Sequence, residues 1–249
     1  MIPLRDRLPT RTTPVVNYVL LALNAFAFLW QIASEEVGYT ALVVDWGFVP
    51  ARFLADPVGQ LVTVFASMFL HGGWLHIGGN MLFLWVFGDN VEDALGHGRY
   101  ALFYLCGGFL AAIAQLMVDP SSTVPMVGAS GAIAAVLAGY VSLYPKARVL
   151  VLFPVLVIFL FFEFPAWLVV LEWFVLNVVQ GMAALGSPEG GGVAWFAHIG
   201  GFLAGLVLVR IGMIGRDRIP YEPWHGFRAD RPSRRTPRVV YRRPPGPWH

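Results

Sequence analysis

RVLVLFPVLVIFLFFEFPAWLVVLEWFVLNVVQGMAAL, residues 148–185, is almost uninterrupted apolar sequence, and the number of membrane crossings it holds decides the fold. A bilayer-spanning helix needs roughly 20 predominantly apolar residues, so the stretch has room for one crossing or two. Glu163 and Pro165 mark a break, because the residue before a proline is pushed out of the helical region. The part before the break, Val149–Phe162, is about 14 residues, which suits an interfacial or re-entrant element rather than a span. The part after it, Phe164–Leu185, reads as one helix. The stretch therefore counts as a single crossing.

Outward from that run, the same criterion places further helices near Val15–Ala33, Gly73–Glu92, Tyr100–Val118, Val127–Tyr144 and Val193–Ile214. The chain is 57% hydrophobic and 13% charged, against about 25% charged in soluble domains. An ordinary soluble protein is excluded. The expected architecture is an all-α, polytopic membrane protein: a six-transmembrane-helix bundle over 15–214, an N-terminal segment 1–14 and a tail 215–249. Leu42–Leu70 joins the first two helices outside the membrane and has an apolar face suited to the outer leaflet.

Six spans put both termini on one side. Arg5, Arg7, Arg11, Arg99, Lys146, Arg148 and Arg210 then share a face with the tail. The opposite loops hold Arg52 among Glu35, Glu36, Asp45, Asp56, Asp119 and Glu189. The positive-inside rule assigns both termini to the cytoplasm. From Arg216 onward nine arginines oppose only Asp217, Glu222 and Asp230, interspersed with seven prolines. That composition predicts a disordered extension that meets anionic lipid headgroups, with no nucleic-acid partner. The apolar run after residue 14 is too long for a removable signal and lacks a cleavage pattern, so it is expected to remain as the first helix. Cys106 is the only cysteine and can form no intrachain disulfide.

Polar side chains inside a bilayer are costly and by default mark function. The assignment buries His71, His76 and Asn80 near the start of the second helix, Ser130 at the start of the fourth, Glu172, Asn177 and Gln180 along the fifth, and His198 in the sixth. Each has a plainer reading, since an intramembrane Ser or Asn more often joins helices than performs chemistry. Their arrangement argues for more. Gly131, Ala135 and Gly139 form a small-residue ladder below Ser130, and Ala197, Gly201 and Gly205 form a second one beside His198. Such ladders let helix backbones approach closely. Ser130 and His198 both lie near the N-terminal ends of their helices. They share a depth only if an odd number of crossings separates them, and the single crossing within 148–185 meets that condition. The pair is the nucleophile and general base of a hydrolase. No Asp or Glu stands at a depth suited to orienting the imidazole, so the expectation is a dyad. Donors for a developing oxyanion are available in the Ser130 N–H at a helix start and in His76 and Asn80, four apart on one face. Gly128, lacking a side chain, would leave room for a substrate backbone.

Gly128-Ala129-Ser130-Gly131, His76-Ile77-Gly78-Gly79-Asn80 and Ala197-His198-Ile199-Gly200-Gly201 together resemble the motifs of the rhomboid family of intramembrane serine proteases, over roughly Gly47 to Gly205. The resemblance extends to His71 and to Phe87-Gly88 through Glu92 and Gly96. It implies Ser130 as nucleophile, His198 as base, and His76, Asn80 and the Ser130 N–H as the oxyanion hole, with His71, Gly131 and Gly201 in support. It also implies transmembrane proteins as substrates and no cofactor or metal. Two departures stand out. Many members stack an aromatic residue, four positions after the serine, on the histidine, and here that residue is Ala134. The Trp-Arg pair of the first outer loop in some members is absent. Neither departure removes a reacting group.

A metal enzyme built on His71, His76 and His198 is the first rival, and it leaves Ser130 without a task. A helix-binding scaffold without activity is the second. A channel or transporter is third, opposed by the absence of paired broken helices. Without a recognisable organelle transit sequence, the expected location is a bacterial plasma membrane.

Overall fold

The computed structural model describes residues 1–34, 39–155, 157–185 and 194–216. In chain order these form β1 (Ile2–Asp6), α1 (Val15–Ala33), the short helices α2 (Tyr39–Trp46), α3 (Pro50–Ala55) and α4 (Leu61–Ala66), α5 (Trp74–Leu95), α6 (His97–Val118), α7 (Ser130–Leu143), β2 (Arg148–Val155), β3 (Ile158–Pro165), α8 (Ala166–Leu185) and α9 (Trp195–Gly212). The protein is mostly helical. Four helices, α1, α6, α8 and α9, are long and apolar enough to cross a membrane. Of the other two expected spans, α5 has 22 residues but ends in Asp89, Glu92 and Asp93, and α7 has 14. The tail beyond residue 216 lies outside the described residues, as do Glu35, Glu36 and Glu189 of the loops expected on the outer side.

The all-α expectation is corrected by a three-stranded antiparallel sheet, ordered β1-β2-β3. Val149–Phe162, expected as an interfacial or re-entrant element, is extended rather than helical. It forms most of the β2–β3 hairpin, in register from Arg148↔Pro165 to Val155↔Ile158. Val, Ile and Phe suit a pleated surface. Val149 and Val151 point into the core. The outward positions are also apolar, so the two-residue period that signals a strand is masked. β1 pairs with β2 from Ile2↔Leu152 to Asp6↔Val149, with an irregularity between Pro3 and Arg5 where the proline has no N–H to give.

At one end of the bundle, helix termini are satisfied by side chains distant in sequence. α1 begins after Pro14 with no side-chain cap of its own. Instead the fully buried Glu92 of α5 accepts the N–H groups of Val16 and Asn17, at 2.9 and 2.7 Å. A carboxylate there meets both the orphan donors and the positive end of the helix dipole. His97 Nδ1 approaches the same carboxylate at 2.5 Å. Arg99 donates to the carbonyls of Gly212 and Ile214 at the end of α9, and Arg216 to Leu95 O at the end of α5. These cations cover orphan carbonyls.

The small-residue ladders form the middle of the bundle. A Cβ on Gly201 would stand 2.1 Å from Gly131 O, and one on Gly205 would stand 2.5 Å from Ala135 O. α7 and α9 therefore touch backbone to backbone. Gly139, expected in the same ladder, instead meets Phe103 of α6.

Candidate active site

The segment leading into α7 is held before the helix begins. Met126 and Phe48 exchange both backbone hydrogen bonds, at 2.8 and 3.0 Å, and Gly128 N donates to Ser67 O at 2.8 Å. The helix expected from Val127 consequently starts at Ser130. This leaves the Ser130 N–H in the first turn, where a helix supplies no partner.

Ser130 Oγ lies 2.7 Å from His198 Nε2, so the two residues inferred from parity do meet. His198 Nδ1 lies 2.6 Å from Asn177 Oδ1 on α8, a neutral partner where a carboxylate was not expected. Asn177 is 5% exposed, and its Nδ2 donates to Trp173 O at 2.7 Å. An amide oxygen accepts an imidazole N–H as a carboxylate does. The available sequence signal was an intramembrane amide on the helix preceding that of the histidine. The ring is also enclosed by Trp173 and Trp195, each with its centroid 5.9 Å away, the latter edge-on at 89°. With Ala134 rather than an aromatic four positions after the serine, it is these two indoles that flank the imidazole.

Across the site, Gly72 N–H donates to His76 Nδ1 at 3.2 Å, which leaves the proton of the neutral ring on Nε2. That nitrogen faces Gly128. The glycine has φ 121°, and a Cβ there would stand 2.6 Å from His76 Nε2 and 3.5 Å from Asn80 Nδ2. The space assigned from the sequence to a substrate backbone is taken by the imidazole, which only glycine admits. Asn80 Nδ2 is buried and has no hydrogen-bond partner among the described residues. A buried amide donor without a partner calls for a ligand or a transient charge. His71 is fully buried and packs edge-on against His76 at 5.2 Å, while its backbone N–H and C=O both bond the side chain of Gln31. It braces the donor histidine.

Gly131, next to Ser130, and Gly201, three residues after His198, bring α7 and α9 together beside the pair. Ser130, His198, Asn177, His76 and Asn80 all line a cavity of about 830 Å³, whose walls include Phe83 of α5 and Trp173 of α8. Glu172 belongs to a different neighbourhood, with its Oε1 3.3 Å from the Met1 ammonium. Among the described residues no group of His, Cys, Asp and Glu side chains is placed to hold a metal ion, so His71, His76 and His198 do not form the ligand set of the metal rival.

The rhomboid domain family model matches residues 58–214. The chain is 28% identical over 201 residues to Rhomboid protein 1, mitochondrial, of Saccharomyces cerevisiae, covering 76% of this chain and 51% of that protein. It is 26% identical over 223 residues to the Presenilin-associated rhomboid-like protein, mitochondrial, of Homo sapiens, covering 86% and 54%. It is 32% identical over 120 residues to Rhomboid protease GluP of Bacillus subtilis, covering 48% and 23%. The chain thus spans about half the length of the two mitochondrial relatives.

Proposed function

We propose that this chain, which belongs to the rhomboid family, is an intramembrane serine endopeptidase in which Ser130 attacks a scissile carbonyl and His198 manages the proton. The observation that carries this reading is the 2.7 Å contact between Ser130 Oγ and His198 Nε2 inside a cavity that also holds the unpartnered Asn80 Nδ2. Ser130 O–H donates to Nε2. As Oγ bonds to the carbonyl carbon, the proton passes to the imidazole and then to the leaving amine. His76 Nε2–H, Asn80 Nδ2–H and the Ser130 N–H supply the charge stabilisation that the tetrahedral oxyanion needs. Water, activated by the same imidazole, then hydrolyses the acyl-enzyme.

The substrate class is a transmembrane protein entering from lipid beside α8, between its Trp173 and Phe83 of α5. A helix protects its carbonyls by internal hydrogen bonding, so Gly or Pro near the outer membrane face favours cleavage. The matching topology is six crossings, with α5 and α7 joining the four long apolar helices, both termini cytoplasmic and the Ser130 end outward. The protein is an integral membrane protein. A bacterial plasma membrane, expected from the sequence alone, gains no support from relatives whose names are mitochondrial in two of the three cases.

The test is incubation of purified protein in liposomes with a panel of single-span proteins. Wild type is expected to cleave a subset of them, and Ser130→Ala and His198→Ala none. Undiminished cleavage by Ser130→Ala sinks the assignment.

A further inference from the structure

We infer that Asn177 is a positioning residue for His198, holding the imidazole in the one tautomer that can take a proton from Ser130. The inference rests on the proteolytic reading above and adds a third member, from a third helix, to its reacting pair.

The geometry carries it in two steps. Asn177 Nδ2 donates to Trp173 O, which fixes the way round of the amide. Flipping it would set Oδ1 against that carbonyl oxygen, two acceptors facing each other, and an amide nitrogen against the imidazole. Asn177 therefore presents Oδ1 to His198 Nδ1 at 2.6 Å, and an oxygen acceptor requires that nitrogen to carry the proton. With the proton on Nδ1, Nε2 has a lone pair aimed at Ser130 Oγ. The opposite tautomer would leave Nδ1 and the buried Asn177 oxygen as two acceptors facing each other at 2.6 Å, a costly arrangement.

On α8 the other amide, Gln180, lines the same cavity, but the contact with His198 Nδ1 is made by Asn177. Trp173 and Trp195 enclose the ring but have only an N–H to give. Glu172 is the one carboxylate of that helix, and it is turned toward Met1. The orienting group is thus neutral, in contrast to the acid of a Ser-His-Asp triad. It sets the direction of the imidazole without adding a negative charge to steady the imidazolium. The consequence is a base whose alignment depends on α8, although the two groups that react belong to α7 and α9.

The test compares wild type with Asn177→Ala and Asn177→Asp as purified full chains in detergent, using a fluorophosphonate to label Ser130 and ¹⁵N-histidine spectra to read the His198 tautomer. Asn177→Ala is expected to label about 10²-fold more slowly, within the 10²–10⁴ that a positioned general base supplies, and to lose the Nδ1–H tautomer while its thermal midpoint stays near that of wild type. Asn177→Asp accepts the same N–H. It is expected to recover most of the labelling and to move the acid limb of the pH–rate profile to higher pH, as a purely structural role would not. Wild-type labelling and an unchanged tautomer in Asn177→Ala overturn the inference, and so does an Asn177→Asp profile superimposable on that of wild type. The spectra do not depend on turnover. If wild type neither labels nor cleaves, the proteolytic reading falls while the tautomers of wild type and Asn177→Ala still decide what Asn177 does.

Discussion

Gly128 shows how little tolerance the site has. Its φ of 121° is strained for any residue with a side chain, and a Cβ would press against His76 Nε2. Gly128→Ala is expected to turn that imidazole away and lower kcat about 10²- to 10³-fold, the range for removing one oxyanion donor, with a smaller change in KM. Steady-state kinetics on a cleaved single-span substrate checks this. That Ser130, His198, His76 and Asn80 line one cavity was legible in the sequence from helical spacing and from the motifs that carry the family resemblance. Asn177 and Glu172 were visible as intramembrane polar residues, but their roles were not. An amide's part depends on the way round it is held, which Trp173 O decides, and the partner of Glu172 is 171 positions away at Met1. Neither fact has a local signature.

Among the elements, the contact of α7 with α9 sets the distance from nucleophile to base. Gly201→Ala places a methyl group 2.1 Å from Gly131 O, a backbone atom that cannot swing aside. Overpacking of this kind costs about 1–3 kcal/mol. The variant is expected to unfold at lower temperature in detergent and to lose activity beyond its loss of folded protein, because the helices separate. The thermal midpoint and the activity per folded molecule measure the two effects. Long apolar runs and small-residue spacing made these helices readable, and α1 appears with the expected limits, Val15–Ala33. The β2–β3 hairpin was not readable, since apolar residues on both faces erase the alternation that separates strand from helix. The late start of α7 was hidden too, because it comes from bonds to Ser67 and Phe48, neither of which is near in sequence.

For the whole molecule, the two ends of the bundle do different work. The end holding Ser130 keeps donors unspent, while the far end spends its polar groups on joining elements: Glu92 to α1, Thr12 to Asp93, and Asp6 to the Tyr140 hydroxyl. Burial pushes the Asp6 carboxyl up to about 7; the Tyr140 hydroxyl opposes the rise and the charge of Asp89 adds to it. The folded chain therefore holds this proton more tightly than the unfolded chain, whose carboxyl titrates near 3.8. The associated stability is complete below about pH 4 and drains away as pH rises through about 7. Thermal unfolding from pH 5 to 8.5 is expected to show a falling midpoint in wild type and a flatter line in Asp6→Asn; parallel lines would remove Asp6 as the cause. The sheet at this end also sets an order of assembly. Residues 2–6 are translated before all of α1, yet the edge they bond to ends at Leu152. At about 5–20 residues per second, a ribosome needs roughly seven to thirty seconds to deliver it. Through that interval the earliest-made strand waits with open hydrogen-bonding groups, and it closes the sheet only after α1, α5, α6 and α7 have been synthesised.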